Sequence, residues 1–329
     1  MTVSYEKPGH AAVHLTRAAS LAPSPHNSQP WSFVEEGHDH GFEVHADDGR
    51  RMILTDPGGR EVVIACGAAL FNVRMAVRHL GFRPAVDLLP QPGNSAFLAR
   101  VGFAAHAPVS PAEADLVEAM PRRHTHRGPF ASLALPGGLL DDLREHARTE
   151  GAVLQVLEEP EELDLIARLV RTAEDTHRAD PGHTWEVRRN VGPGGVPAET
   201  CRFHPDATLL AGRDYLDLAR RFIVPARRRG LGTGTVAVLS TPHDSRLDWM
   251  RAGQALQRVL LSAAARHVMA AFHTQPLELP ETRAELRRRL LAGNFPQMVL
   301  RLGVPAQVWS TERRPPSQVL VRDGALARW

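Results

Sequence analysis

The 329-residue chain has only two cysteines, Cys66 and Cys201, and a single lysine, Lys7. Two cysteines far apart in sequence cannot build the disulfide framework of a small secreted protein. They are also not spaced as the pair of a thiol switch. Any redox activity of this chain would therefore have to come from a bound cofactor.

The chain also lacks a strong net charge and a long apolar run. Its formal net charge of +2 at pH 7 gives no field that would favour nucleic acid or an anionic membrane. No apolar stretch approaches the ~20 residues that span a bilayer, and residues 1–8 lack the pattern of a signal peptide. We therefore expect a cytoplasmic protein with no nucleic-acid or membrane partner. Its 43% apolar content allows one large or two modest cores.

Residues 22–33 (APSPHNSQPWSF) are the most informative segment. A mix of Pro, Ser and Asn is typical of an ordered loop, and three prolines fix φ along it: Pro23, Pro25 and Pro30. The hydroxyl and amide groups that follow could bind the polar edge of a heterocycle: Ser24, Asn27, Ser28 and Gln29. The same residues would also suit a rigid turn capped by its own side chains. The residues alone leave both interpretations open.

A second polar segment lies at residues 122–127 (RRHTHR). Arg123, Thr125 and Arg127 alternate, so on an extended strand they would project from one face. Planar guanidinium groups bind phosphate through paired hydrogen bonds, which makes this a candidate phosphate site. The alternative is a surface arginine pair of the kind that is common in so arginine-rich a chain.

Together the two segments resemble the FMN-dependent nitroreductase superfamily. The flavin-edge loop of this superfamily has the form Pro-Ser, two residues, then Asn-x-Gln-Pro-Trp, and it is similar to Ser24-Pro-His-Asn27-Ser-Gln29-Pro-Trp31 of this chain. The superfamily's phosphate motif, Arg-Arg-x-Ser/Thr-x-Arg/Lys, is similar to residues 122–127. Ordinary members carry the phosphate motif first, whereas here it follows the loop by about a hundred residues. That order resembles the Acg-type branch, in which two nitroreductase-like halves are fused. The resemblance implies an α+β nitroreductase-like fold with tandem duplicated halves forming an intramolecular pseudo-dimer.

A weak internal repeat agrees with duplication. Residues 66–73 align with residues 252–259 and share Gly, Ala, Leu and Val at the same positions. Each copy begins a stretch in which apolar residues recur at helical spacing, and in the second copy this stretch extends to His267. Strand-like segments follow at residues 98–103 and 299–304. We expect Gly67 and Gly253 to let two helix backbones approach closely. Chance similarity between apolar helices is the alternative.

Each predicted half lacks the motif that the other keeps. Residues 1–120 carry the ring-edge loop (residues 22–33), and residues 121–329 carry the phosphate cluster (residues 122–127). Superfamily dimers build two flavin sites from both chains. A fused pair with complementary losses implies one composite FMN site within one chain, so that an obligate homodimer is not required.

The resemblance also implies roles for single residues. Arg123 and Thr125 would lie near the phosphate and ribityl chain, Arg127 beside N1 and O2 of the ring, and Arg313 and Arg314 against the same phosphate. A cation beside N1 stabilises the anionic reduced flavin. The predicted cofactor-binding residues are Pro23, Ser24, Asn27, Gln29, Arg123, His124, Thr125, Arg127, Gln275, Arg313 and Arg314.

Residues 178–212 form a Gly- and Pro-rich insertion that is longer than an ordinary connection. It is either a surface excursion or, as the Acg-type resemblance implies, a lid over the flavin. With an open ring face, the implied function is an NAD(P)H-dependent oxidoreductase that reduces nitroaromatic, quinone or related electrophiles by flavin hydride transfer. A closed lid would instead make an FMN storage or sequestration protein. We predict the oxidoreductase, because Arg127 supplies the cation that a reduced flavin needs.

Two further expectations concern metals and secondary structure. Histidines in the predicted hairpin turn at residues 37–41 are too few to form a metal site, so none is predicted. Periodicity predicts strands near 31–35, 42–46, 84–89 and 97–103 and a helix at 62–80, then helices near 138–148, 161–178, 213–222, 246–270 and 281–292. A strand is also expected at 151–157. No flexible linker separates the halves, which predicts one shared core.

Overall fold

The computed structural model of the protein describes residues 9–37, 39–201, 208–210, 212–218 and 232–322. Its first part contains helices α1 (His10–Ser20), α2 (Arg60–His79) and α3 (Pro111–Ala119), and strands β1 (Trp31–Glu36), β2 (Gly41–Ala46), β3 (Phe82–Leu88) and β4 (Phe97–His106). The helices that follow are α4 (Leu139–Thr149), α5 (Pro160–Ala179), α6 (Pro181–Arg188), α7 (Ala198–Cys201), α8 (Arg246–Ala265), α9 (Gln275–Glu278), α10 (Pro280–Leu290) and α11 (Pro316–Val319). The remaining strands are β5 (Val153–Leu157), β6 (Thr235–Thr241), β7 (Met269–Phe272), β8 (Phe295–Gly303) and β9 (Leu320–Arg322).

These strands form two sheets. The first has the order β3-β4-β2-β1-β9 and the second the order β5-β6-β8-β7. β1 and β2 pair as an antiparallel hairpin with Trp31 opposite Ala46, which confirms the turn predicted at residues 37–41. β9 pairs parallel to β1, with Leu320 opposite Phe33. The C-terminal segment of the predicted second half therefore extends the sheet of the first half.

Helices α2 and α8 join the two sheets, since α2 packs on the first sheet, α8 packs on the second, and each packs against the other. α8 begins with a capping box, in which Ser245 N donates to Asp248 Oδ2 over 3.1 Å and Asp248 N donates to Ser245 Oγ over 3.3 Å. Where the helices cross, a Cβ built on Gly253 would lie only 2.8 Å from Gly67 Cα. The predicted close approach of these two glycines is confirmed.

Residues of both predicted halves share one hydrophobic cluster, in which Phe71 and Leu98 are packed with Met250 and Leu261. The expectation of a shared core is thus met. α2 is long and apolar enough to cross a membrane, whereas the sequence analysis expected no such stretch; 89% of its apolar window is buried inside the protein. The apolar surface of α2 is therefore covered by other parts of the protein.

Two predicted helices differ from the structure. The helix predicted at 246–270 ends at Ala265, His267 is exposed with a φ of 59°, and Met269–Phe272 form β7. The apolar pattern runs on across this turn, so periodicity did not reveal the change. Of the helix predicted at 213–222, residues 213–218 are not α-helical and residues 219–222 lie outside the described residues, as does His38 of the hairpin.

Candidate functional site

The ring-edge loop is held in a sparsely populated backbone conformation. His26, Asn27 and Gln29 have φ values of 48°, 60° and 50°, a region that non-glycine residues enter rarely and at a cost of roughly 1–3 kcal/mol each. The loop is braced from inside, because Gln29 N donates to Ser24 Oγ over 3.0 Å and Ser28 N donates to Pro25 O over 2.8 Å. Ser24 therefore caps its own loop, as the turn interpretation expected, while the loop also lines a cleft.

Asn27 and Gln29 connect this loop to two distant segments. Asn27 Nδ2 donates to Gly194 O and Glu312 O, both over 2.9 Å, and Asn27 Oδ1 accepts from Arg313 Nη1 over 3.0 Å. Gln29 Oε1 accepts from Arg314 N over 2.9 Å, whereas its Nε2 is buried without a hydrogen-bond partner. Both amides thus tie the loop to the 178–212 insertion or to the C-terminal segment, and their contact with a cofactor stays a prediction.

The phosphate cluster lies against the first half although it is distant in sequence. Arg123 is 4% exposed and its Nη2 donates to Leu21 O over 3.1 Å, immediately before the ring-edge loop. Thr125 forms a parallel bridge to Ala270 of β7, and His126 N donates to Ala270 O over 2.8 Å. The segment is otherwise irregular, so the extended strand expected here is limited to that bridge.

Three arginines lie close enough to repel one another. Burial and the charges of Arg313 and Arg127 lower the pKa of Arg123 to about 9. Burial and Arg127 lower the pKa of Arg313 to about 10, so both remain cationic at neutral pH. His124 adjoins the cluster, and burial, Arg123 and Arg313 lower its pKa.

Several donor atoms of the arginines here are buried and have no hydrogen-bond partner in the part of the chain that the structure describes: Arg123 Nε and Nη1, Arg127 Nη1, Arg313 Nε and Arg314 Nε. A buried cationic donor without an acceptor is costly. An anion with several oxygens would satisfy such donors through charge-assisted hydrogen bonds. The cluster is therefore chemically suited to an anion.

A cleft with a cavity volume of about 100 Å³, partly open to solvent, adjoins this cluster. Its lining combines the ring-edge loop (residues 23–26), residues 271–275 with Gln275, the side chains of Thr125 and Arg127, and apolar side chains of α2 and α8 such as Ile64 and Leu256. Asn27, Arg313 and Arg314 instead line a neighbouring groove. The structure therefore brings the two motifs together around one cleft and places the C-terminal arginines beside it.

The insertion contributes to the cleft as well. Thr200, Cys201 and Gly212 line it, while residues 202–207 and 211 lie outside the described residues. Residues 181–188 of the insertion are helical, as α6. Its position agrees with the lid that was predicted, although gating by this segment stays a prediction.

Arg213, Tyr215 and Glu61 are among the cleft residues that were not predicted from the sequence. Arg213 and Tyr215 were interpreted as part of a helix, yet both line the cleft, and Tyr215 packs edge-on against His26 with ring centroids 5.4 Å apart. Glu61 in the first turn of α2 also lines it, and burial together with the charge of Glu278 raises the pKa of Glu61 to about 8. Nothing in the sequence indicates that Glu61 faces the cleft, because a glutamate in the first turn of a helix is usually exposed to solvent and stabilised there by the helix dipole. Its position in the cleft follows from the packing of α2.

The fold and the site thus define an α+β protein with an arginine-rich cleft beside the second sheet, suited to an anionic organic ligand. No model of a protein family matches the chain. It is 31% identical over 294 residues to "Putative NAD(P)H nitroreductase Rv3131" of Mycobacterium tuberculosis, covering 87% of this chain and 82% of that protein. It is also 29% identical over 315 residues to "Putative NAD(P)H nitroreductase acg" of the same organism, covering 92% of each chain. The chain belongs to the nitroreductase superfamily, in the branch that includes these proteins.

Solved structures are similar over part of the chain. NfnB, an FMN and NADPH-dependent nitroreductase from sphigopyxis sp. strain HMH, is 19% identical with a TM-score of 0.44, covering 64% of this chain and 99% of that one. A nitroreductase with bound FMN from Desulfitobacterium hafniense DCB-2 is 12% identical with a TM-score of 0.41, covering 62% and 96%. Each of these structures matches less than two thirds of this chain. The tandem duplication of the two halves stays a prediction.

Proposed function

We propose that this chain binds one FMN in the cleft and acts as an NAD(P)H-dependent oxidoreductase of the nitroreductase type. The observation that carries the proposal is the cluster of Arg123, Arg127 and Arg313, whose buried donors lack partners beside a cleft lined by the ring-edge loop. Both relatives bear the name "Putative NAD(P)H nitroreductase", which supports the same reaction class.

The residues present fit FMN at its phosphate end. A phosphate monoester carries nearly two negative charges at neutral pH, and the charges acting on Arg123 and Arg313 are those of other arginines. Arg123 and Arg313 would hold the phosphate, with Thr125 close to the ribityl chain. A doubly charged group there would remove the mutual repulsion of the guanidinium groups.

The residues also fit the flavin ring. A planar aromatic ring system needs an apolar wall, and Ile64, Ala65 and Leu256 supply one in this cleft. Its polar edge needs donors and acceptors, which the backbone of residues 23–26 and the side chain of Gln275 can provide. Since Ser24 Oγ already accepts from Gln29 N, the main role of Ser24 is to hold the loop in shape.

Once bound, FMN supplies hydride acceptance from NAD(P)H and hydride donation to an electrophile such as a nitroaromatic or quinone. Arg127 lines the cleft, and its guanidinium group would stabilise an anionic reduced ring bound there. Burial and the charge of Arg213 lower the pKa of His26, so this histidine adds no competing cation at neutral pH. Burial and the charge of Glu278 raise the pKa of Glu61, which lines the same cleft and accepts a hydrogen bond from Arg60 Nη2 over 3.1 Å.

Flavin stoichiometry tests the proposal. The purified chain, reconstituted with FMN, should show the flavin absorbance spectrum with one FMN per chain. A colourless chain that stays without flavin after mixing with FMN would overturn the proposal.

Anaerobic reduction then tests the enzyme function. NADH or NADPH should bleach the bound flavin within seconds, and a nitroaromatic or a quinone should restore its oxidised spectrum. If FMN binds but neither coenzyme reduces it, the storage function is favoured instead.

A further inference from the structure

Three side chains that could bind a metal ion lie together near the cleft. His177 at the end of α5, His183 in α6 and Glu278 in α9 present three ligand atoms that all lie within 4.8 Å of one another. The histidines are 7% and 5% exposed, and the Glu278 side chain is 1% exposed. We propose that these three side chains bind a divalent transition-metal ion of the Zn²⁺ class.

The spacing of the ligand atoms suits such an ion. Glu278 Oε2 lies 3.6 Å from His177 Nε2 and 3.7 Å from His183 Nε2. Ligands at Zn–N and Zn–O distances of about 2.0–2.2 Å in a tetrahedral site are about 3.3–3.6 Å apart. The two rings are nearly parallel, with centroids 4.0 Å apart and an interplanar angle of 11°. Because an imidazole binds a metal ion in the plane of its ring, one of these stacked rings would have to rotate before all three atoms could contact one ion.

Two of the three atoms that would bind the ion have no hydrogen-bond partner among the described residues. These are His183 Nε2 and Glu278 Oε2, both of which are buried. The other oxygen of Glu278 is held in place, because Oε1 accepts from Arg213 Nη2 and, over 3.0 Å, from Thr274 Oγ1. Arg213 and Thr274 thus orient the carboxylate and leave one oxygen for an ion, which is the usual task of residues that surround a metal ligand.

A cavity of about 30 Å³ borders the two histidines. The described residues that line it also include Glu174, Asp214 and Asp217. The cavity has room for one water as a fourth ligand. A bound ion would fasten the insertion, through α6, to α9 at the cleft wall.

Metal content and affinity test the site. Tag-free protein, stripped with a chelator and titrated with Zn²⁺, should bind one ion per chain and melt at a higher temperature when loaded. Titration with Co²⁺ should give the visible absorption of a tetrahedral site with nitrogen and oxygen ligands. His183→Gln should weaken Zn²⁺ binding by at least about tenfold and abolish the thermal shift. His267→Gln, at an exposed histidine outside the cluster, should leave both unchanged.

Equal Zn²⁺ affinity of the wild type and His183→Gln would overturn the proposal, as would an absence of Zn²⁺ binding. If His183→Gln does not fold, the X-ray absorption spectrum of Zn²⁺ bound to the wild-type chain decides. Two imidazole ligands support the site, and a shell of oxygen ligands alone rules it out. FMN stoichiometry of the same samples is a separate readout, so this proposal and the flavin proposal can fail independently.

Discussion

Gly67 of α2 and Gly253 of α8 face each other where the two helices cross. A Cβ on Gly67 would overlap the carbonyl oxygen of Met250 and lie 3.1 Å from Gly253 Cα. A Cβ on Gly253 would overlap the carbonyl oxygen of Ile64 and lie 2.8 Å from Ala68 N. Since the colliding atoms are backbone, a methyl group cannot be accommodated by a side-chain rotation.

Gly253→Ala should therefore lower the free energy of unfolding by at least about 2 kcal/mol, because overpacking at a backbone contact forces the helices apart. Gly58→Ala is the matched control, since a Cβ there meets no atom within 4 Å. Urea unfolding of both variants measures the difference. Equal midpoints for Gly253→Ala and the wild type would show that the helices do not cross at these glycines.

Arg123→Ala and Arg127→Ala should affect FMN in different ways. Loss of the buried Arg123 should weaken FMN affinity by about 2 kcal/mol, or roughly thirtyfold in Kd, because the phosphate loses a charged partner. Loss of Arg127 should chiefly make the flavin potential more negative. The exposed neighbour Arg122 is the control, and Arg122→Ala should change neither quantity. Fluorescence titration gives Kd and equilibration with a reference dye gives the potential. Equal, small effects on both would place the cofactor elsewhere.

The Asn27–Gly194 contact predicts how the insertion controls access. Replacing residues 192–195 (GPGG) by Gly-Ser removes the Gly194 acceptor and the 3.1 Å bond from Gly194 N to Glu312 Oε2, while it keeps α6 and His183. The shortened variant should be reduced faster by NADPH in stopped flow and should release FMN faster. The same replacement at the exposed turn of residues 91–94 (QPGN) serves as control. Identical traces for both variants would show that the insertion does not gate the cleft.

The ionisation of Asp244 should make the free energy of unfolding depend on pH in the acid range. Burial raises its pKa, but hydrogen bonds from Arg283, Trp249 and Gln297 outweigh burial and lower the pKa to about 2. A carboxylate with a lowered pKa stabilises the fold above its unfolded value of 3.8, and this stabilisation is lost as the pH falls from about 4 to about 2.

Asp244→Asn should therefore cost roughly 2 kcal/mol at pH 7 and less at pH 3. Asp141→Asn, in an exposed ion pair with Arg144, should cost little at either pH. Urea unfolding at the two pH values measures both variants. A cost for Asp244→Asn that does not depend on pH would contradict the assignment.

The sequence predicted those parts of the site that are coded by contiguous residues. The loop around Ser24 and Asn27 and the cluster around Arg123 each carry their chemistry within a few residues, and the structure brings them together as expected. Glu61 and Arg213 could not be recognised, because each faces the cleft only through the packing of distant elements. The group of His177, His183 and Glu278 was missed for the same reason, since Glu278 joins the two histidines only in three dimensions.

Secondary structure was predictable where pattern and boundary signals agree. The Gly-rich turn between β1 and β2 and the continuous apolar face of α2 are such cases. At His267 the apolar pattern and the helix boundary conflict. The apolar residues of β7 continue the spacing of α8, although the backbone turns at His267. Only the positive φ of His267 separates helix from strand there, and a histidine does not signal this conformation as a glycine would.

The bond from Arg123 to Leu21 ties the phosphate cluster to the residue that precedes the ring-edge loop. A cleft that is shared between separate subunits falls apart when they are diluted. We predict that the cleft of this chain is complete within one polypeptide, so that its ligand affinity should not depend on protein concentration. A cell that makes only a few copies of the chain should then have as complete a cleft in each copy as a cell that makes thousands.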